Sequence, residues 1–176
     1  MAEETTPRAT KLLLVAVLAA TVGAVAWYLG GGRDDEPRAA GLVLLLLTVL
    51  FLLRVGGQIA VALVAPAWLP PMSQWNLLAY RFLLPIQSVF LAAMALVVAD
   101  LLRGTGDGPF STPREAVGAA VVALSGVYVG AMAIRYAVRM RCRPAQRWFG
   151  GTIPIVFHCV LGGFLLVYGV YNLRAA

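Results

Sequence analysis

The chain has 176 residues, 61% of them hydrophobic and only 12% charged, with a formal net charge of +6. Soluble domains carry about 25% charged residues, so this composition excludes a water-soluble domain, and the length leaves room for one bundle and no second folded domain. In so apolar a chain the positive charge points to membrane topology and anionic headgroups, not to nucleic acid.

The apolar runs are continuous and close to 20 residues or longer, which reads as helix. Strands of a membrane barrel would alternate apolar and polar residues instead. The expected fold is all-α: a polytopic integral membrane helical bundle with five transmembrane helices in a single membrane domain, 1–176. Thirteen of the 14 basic residues are Arg, Lys11 being the exception, and with so much Ala, Val and Gly this reads as coding bias. The sequence has no zinc-ligand spacing, CxxC, Gly-rich phosphate loop or GxSxG. Cys142 and Cys159 do not make a disulfide framework.

In chain order, a short polar tail precedes the first apolar run, 11–29. Small residues near its end, Ala24 and Ala26, would suit signal-peptide cleavage, but the head is not cleanly basic and the run is longer than an h-region. A retained first spanning helix is the preferred reading. The stretch 30–38, GGGRDDEPR, is a loop: its glycines end the helix, its charges need water, and Pro37 can open the next helix. The second helix is expected over 39–65. The charge-free turn 66–75 breaks at its prolines, and its Trp68 and Trp75 suit an interfacial aromatic belt; a re-entrant segment is an alternative there. The third helix, 76–102, contains Pro85, which should kink it. Residues 103–115 form the most polar loop, ending on Thr112-Pro113-Arg114-Glu115 as a helix cap. The fourth helix is expected over 116–138, followed by a basic loop, RMRCRPAQR, from Arg139 to Arg147, and the fifth over 152–173.

Five helices put the termini on opposite sides. Arg8, Lys11, Arg139, Arg141, Arg143 and Arg147 share one side; Arg33, Arg38, Arg103, Arg114 and Arg174 share the other. The density of the Arg139 loop puts the first set inside. The expected location is the plasma (inner) membrane of a bacterium, with the amino terminus cytoplasmic and the carboxyl terminus outside. Both cysteines then sit at or near a reducing compartment as free thiols.

The most informative stretch is 41–65, because it carries Arg54 within a spanning run. Arg54 lies about 16 Å from the inner end of its helix, at about 1.5 Å per residue. Gln58 follows four residues later on the same face. In the third helix, Tyr80 and Gln87, and Arg81 and Ser88, are spaced seven apart and make a polar stripe. In the fourth, Ser125, Tyr128, Met132, Arg135 and Arg139 share one face, and the fifth carries His158 near its inner end. The inner half therefore gathers Arg54, Gln58, Tyr80, Arg81, Gln87, Ser88, Tyr128, Arg135 and His158 as a candidate ligand-binding set.

No acid inside a span answers these cations except Asp100, roughly 18 Å away in depth from Arg54, and Arg103 is its expected partner. A central Arg costs about 2.5–3.5 kcal/mol on insertion scales. An anion from outside the chain is a candidate counter-charge, since phosphate or carboxylate matches the guanidinium fork.

Each residue also has a plainer role. Arg81 and Arg135 can snorkel to the headgroups. Arg54 can be satisfied by Gln58 and by carbonyls freed near Gly56-Gly57. His158 is the only histidine, so a bis-His haem is excluded and no metal or cofactor is expected; a packed, hydrogen-bonded His is the default. Ser125 and His158 lack the orienting acid of a nucleophile–base pair. Gly126-x-x-x-Gly130, extending back to Gly118 and Val122, together with Gly162 and Gly169 reads as close helix packing within the chain, although the same spacing serves homodimers. The second and third helices and the fourth and fifth form two similar hairpins, each returning on a Pro-Ile (Pro85-Ile86, Pro154-Ile155); a repeat of that kind would place a site between them.

Three readings follow. The first is a membrane protein that binds or transports an anionic lipid headgroup or small organic anion in an inner cationic pocket, with membrane lipids as partners. The second is an accessory subunit whose arginines pair with a partner chain, or a homo-oligomer built on the glycine faces. The third, a lipid-modifying or quinone-linked enzyme using His158, ranks last because no acid–base pair is visible.

Overall fold

The computed structural model describes residues 8–31, 36–64, 69, 80–104, 107–142 and 153–176, with the side chains of 80–82 outside that description. It shows five helices: α1 (Arg8–Leu29), α2 (Glu36–Leu63), α3 (Tyr80–Arg103), α4 (Glu115–Cys142) and α5 (Ile153–Arg174). All five are long and apolar enough to cross a membrane. In hydrocarbon a helix satisfies every backbone group within itself. Buried Thr21 and Thr48 do the same with their hydroxyls, which donate to the carbonyls of Val17 and Leu44 four residues back.

Several boundaries differ from the sequence reading, α1 for instance beginning at Arg8 instead of 11, and two of the differences have clear reasons. α2 begins at Glu36, because an acid and a proline are both favourable in a first helical turn. α4 runs on to Cys142, so Arg139 and Arg141 ride its last turn instead of forming a loop; cations there complement the carbonyl end of the helix. The remainder of that basic loop, and all of the 66–75 turn except Leu69, lie outside the described residues.

α2 and α5 pack together as the centre and are the most buried of the five. α1 lies against both of them, α3 rests on α2, and α4 rests on α5. α3 and α4 stand further apart: no described Cα of one comes within 8 Å of the other. A wedge therefore opens between the two hairpins, on a different side of the α2–α5 pair from α1.

The α4–α5 seam is the closest in the bundle. A Cβ on Gly118 would stand 2.9 Å from the carbonyl oxygen of Gly169, and one on Gly169 would stand 2.9 Å from the backbone nitrogen of Val122. Ser125 Oγ donates to the Gly162 carbonyl across the same seam at 2.8 Å. Gly118, Val122, Ser125 and Val129 thus form the packing face. Gly126 and Gly130 do not: nothing lies within 4 Å of a Cβ on either. The GxxxG spacing is real, but it falls on the lipid-facing side of α4, because the α5-facing ridge is set one residue away.

One end of the bundle is densely tied. The Arg174 guanidinium donates to the carbonyls of Tyr28, Leu29 and Gly31, which are the exposed acceptors at the end of α1. It also stacks on the Tyr28 ring, and its Nη1 lies 3.8 Å from Glu36. Tyr28 donates in turn to Glu36. This cluster clamps α1, α2 and α5 to one another.

Beside it the α3–α4 loop is strapped down. Asp100 accepts the backbone N–H groups of Phe110 and Ser111 at 2.8 and 2.9 Å, so its partner is this loop and not Arg103. Two backbone donors in fixed positions satisfy a buried carboxylate better than one exposed Arg. Gly108 lies so close to Asp100 that no Cβ fits there. Tyr171 donates to the Ser111 carbonyl, and Asn172 Oδ1 accepts from Arg114 N–H just ahead of α4. The α4 entry is thus held by a side chain from α5, with Pro113 two residues before the helix instead of at its first position. Gly104, with φ at 68°, ends α3 in the left-handed conformation.

Candidate functional site

The opposite end of the bundle is different in kind. There the wedge holds a cavity of about 240 Å³ lined by polar groups from all four surrounding helices. α2 supplies Arg54, α3 supplies Gln87, α4 supplies Tyr128 and Arg135, and α5 supplies His158. Phe51, Ile86, Phe90 and Leu161 are among its apolar walls. Five residues of the sequence-derived set are therefore brought to one place.

Of the remaining four, two stand elsewhere. Gln58 is buried on α2 but does not line the cavity. Ser88 is exposed, and its hydroxyl donates to the Leu84 carbonyl one turn back at 2.9 Å. Tyr80 and Arg81 open α3, and their side chains are outside the described residues.

Arg54 forms the floor. It lies nine residues before the end of α2 at Leu63, which is about 14 Å along the axis. It is only 4% exposed, its Nε is buried without a hydrogen-bond partner, and no acid pairs with it among the described residues. Its Cζ lies 5.9 Å from the centre of the Phe157 ring. That contact offsets part of the cost of burial, at about 0.5–2 kcal/mol, but it answers none of the N–H donors. Gln87, 5% exposed, likewise has a buried Oε1 without a partner. Buried polar groups in folded proteins are nearly always satisfied, and leaving one unmade costs about 1–3 kcal/mol. Both residues line the same cavity.

Tyr128 and His158 form a pair across the α4–α5 seam. The Tyr128 hydroxyl is hydrogen-bonded to His158 Nδ1, and the rings meet edge-on at 5.4 Å. If the phenol donates, the neutral imidazole carries its hydrogen on Nε2. If Nδ1–H donates, the phenol hydrogen is released. Either way the pair keeps one donor. Arg135 is exposed at the rim, seven residues before the end of α4. Arg135, Arg54 and the Tyr128–His158 pair thus form a donor-rich, positively charged cleft.

Ser125 is committed to the Gly162 carbonyl and His158 to Tyr128, so the two do not form a nucleophile–base pair. Among the described residues no three His, Cys, Asp or Glu side chains gather as a metal site. Both cysteines are free thiols.

A second, larger cavity of about 420 Å³ lies on the α1 side, lined almost wholly by apolar residues of α1, α2 and α5, with Gly56 and Gly57 among them. Phe157 lines it and also faces Arg54, so that ring stands between the apolar cavity and the charge. No signal in the sequence pointed to this cavity, because in a membrane helix its lining looks like any lipid-facing surface.

No family model, curated protein or solved structure matches the chain.

Proposed function

We propose that this multi-pass membrane protein binds, and in doing so carries or retains, an anionic group in the Arg54 cavity: a lipid headgroup or a small organic anion. The observation that supports this most is the pairing of Arg54 and Gln87, both buried, both with an unpartnered polar atom, at one cavity that Arg135 makes still more positive. A charge placed in hydrocarbon without a counter-ion inside the chain is expensive, and an anion in the cavity supplies what the fold leaves out. Guanidinium donors bind carboxylate or phosphate oxygen with short, charge-assisted hydrogen bonds. The Tyr128–His158 donor would orient the bound group.

We place the amino terminus in the cytoplasm of a bacterial cell, on the strength of the arginines around the end of α4. The cavity then opens in the inner half of the membrane. Modification of Cys142, exposed at the end of α4, by an impermeant thiol reagent added outside intact cells would reverse this orientation.

The test is thermal unfolding of the purified chain in a neutral detergent. Added anionic phospholipid, or a soluble organic anion, is expected to stabilise the wild type, by about 2.7 kcal/mol at a hundred times the dissociation constant. Arg54→Gln should remove most of that gain, whereas Gln87→Leu, which leaves the charge in place, should remove only part of it. An equal gain in wild type and both variants would mean that the anion acts elsewhere, and the proposal would fail.

A further inference from the structure

The wedge between α3 and α4 says how the occupant arrives. α3 is carried by α2 and α4 by α5, and no described Cα of one flanking helix comes within 8 Å of the other. At the far end of the bundle the loop strapped by Asp100 and Tyr171 bridges them, but no described contact closes the gap beside the cavity. Its sides are apolar and open. Ile86 and Phe90 on α3 both line the cavity and are 53% and 47% exposed, and Leu124, one turn from Tyr128 on α4, is 53% exposed. In a bilayer, a gap of this kind at this depth faces acyl chains, not water.

Volume and polarity narrow the ligand further. The cavity holds about 240 Å³, less than the roughly 300–1,000 Å³ of pockets that enclose a whole drug-sized molecule. It suits the polar part of a larger molecule whose remainder stays outside. Arg54 Nε asks for an anionic acceptor, whereas Gln87 Oε1 asks for a donor. A single group that answers both is a phosphate carrying a hydroxylated substituent. The exposed Arg135 at the rim and the buried Arg54 on the floor would meet such a group in succession.

We infer that the cavity takes the hydroxyl-bearing phosphodiester headgroup of a membrane lipid, which enters sideways between α3 and α4 and leaves its acyl chains in that gap. This rests on the anion pocket proposed above and narrows its occupant. A water-soluble anion would have no use for the apolar gap, and a lipid with a cationic headgroup would find no acid among the described residues that line the cavity.

The full chain would be reconstituted in phosphatidylcholine vesicles containing a small fraction of one of three lipids with a photoactivatable acyl chain. These are phosphatidylglycerol, phosphatidylmethanol (the same charge without hydroxyls) and phosphatidylcholine. Phosphatidylglycerol is expected to label the Ile86–Phe90 and Leu124–Tyr128 segments about tenfold more than phosphatidylcholine does, with phosphatidylmethanol between them. Arg54→Gln should bring all three to the phosphatidylcholine level. Gln87→Leu, which leaves the charge in place, should erase only the advantage of phosphatidylglycerol over phosphatidylmethanol, and it keeps the test decisive if the Arg54 variant fails to fold.

If glycerol phosphate added in water stabilises the chain through Arg54 while no lipid favours the gap, the sideways lipid route is overturned and the anion pocket stands. If the labels spread evenly over all lipid-facing helices, Arg54→Gln changes nothing and no soluble anion stabilises the chain, both readings fall. A gap that stays unlabelled because a second polypeptide co-purifies and crosslinks there would also overturn the lipid inference.

Discussion

Arg54→Leu is expected to make the empty protein more stable and the loaded protein weaker. The buried guanidinium costs about 2.5–3.5 kcal/mol to place in hydrocarbon. Its contact with Phe157, at 5.9 Å, offsets about 0.5–2 kcal/mol of that. The net gain on removing the charge is therefore about 0.5–3 kcal/mol in a neutral detergent without anionic lipid. The same variant should lose the stabilisation that anionic lipid gives the wild type. Opposite signs in the two conditions are characteristic of a residue held at a cost for a ligand. If Arg54 served only the fold, the variant would be destabilised in both. Denaturant titration with and without the lipid separates these outcomes.

The second large effect is expected at the seam between α4 and α5. Gly169→Val should destabilise the bundle by about 1–3 kcal/mol, as overpacking does in close-packed interiors. A Cβ at Gly169 meets the Val122 nitrogen at 2.9 Å and the Gly118 carbonyl at 3.1 Å. Both are backbone atoms, so relief requires the helices to move apart. That movement would stretch the Ser125–Gly162 and Tyr128–His158 bonds and remove one wall of the cavity. Anion binding should weaken together with stability. Gly126→Ala and Gly130→Ala serve as controls. With nothing within 4 Å of either, they should be neutral, or stabilising by up to about 1 kcal/mol through better helix propensity. Destabilisation at these two positions, with loss of an oligomer on sizing, would instead assign that face to a second copy of the chain.

The five spans were legible because their apolar length is dictated by the bilayer and their ends by glycine, proline and charge. The cavity was legible for a related reason: Arg54 is out of place in an apolar run, and steps of three, four and seven residues carry Gln87, Tyr128 and Arg135 onto definable faces. Beyond the two hairpins, which helices meet was not legible. Both faces of a membrane helix are apolar, so α2 and α5 carry no stripe that names their neighbours, and the separation of α3 from α4 had no signature in either. The glycines show the limit of spacing arguments. Gly118 and Gly126 are both small, but only Gly118 lies on the ridge that meets Gly169. Asp100 was matched to the nearest opposite charge in sequence, yet it caps backbone donors ten and eleven residues away. Ser88 fell on a polar stripe, but its hydroxyl returned to its own helix. The clamp of Arg174 on the end of α1 joins residues more than 140 positions apart, beyond the reach of local pattern.

The central claim is that the cavity around Arg54 holds an anion from the membrane. It is tested most directly by the native mass of the detergent-purified protein, wild type beside Arg54→Gln. The account predicts a wild-type adduct of lipid mass, retained through neutral-detergent washing and absent from the folded variant. A bare mass in both, persisting after incubation with anionic phospholipid, would contradict it and leave Arg54 as a residue of the fold or of a partner interface.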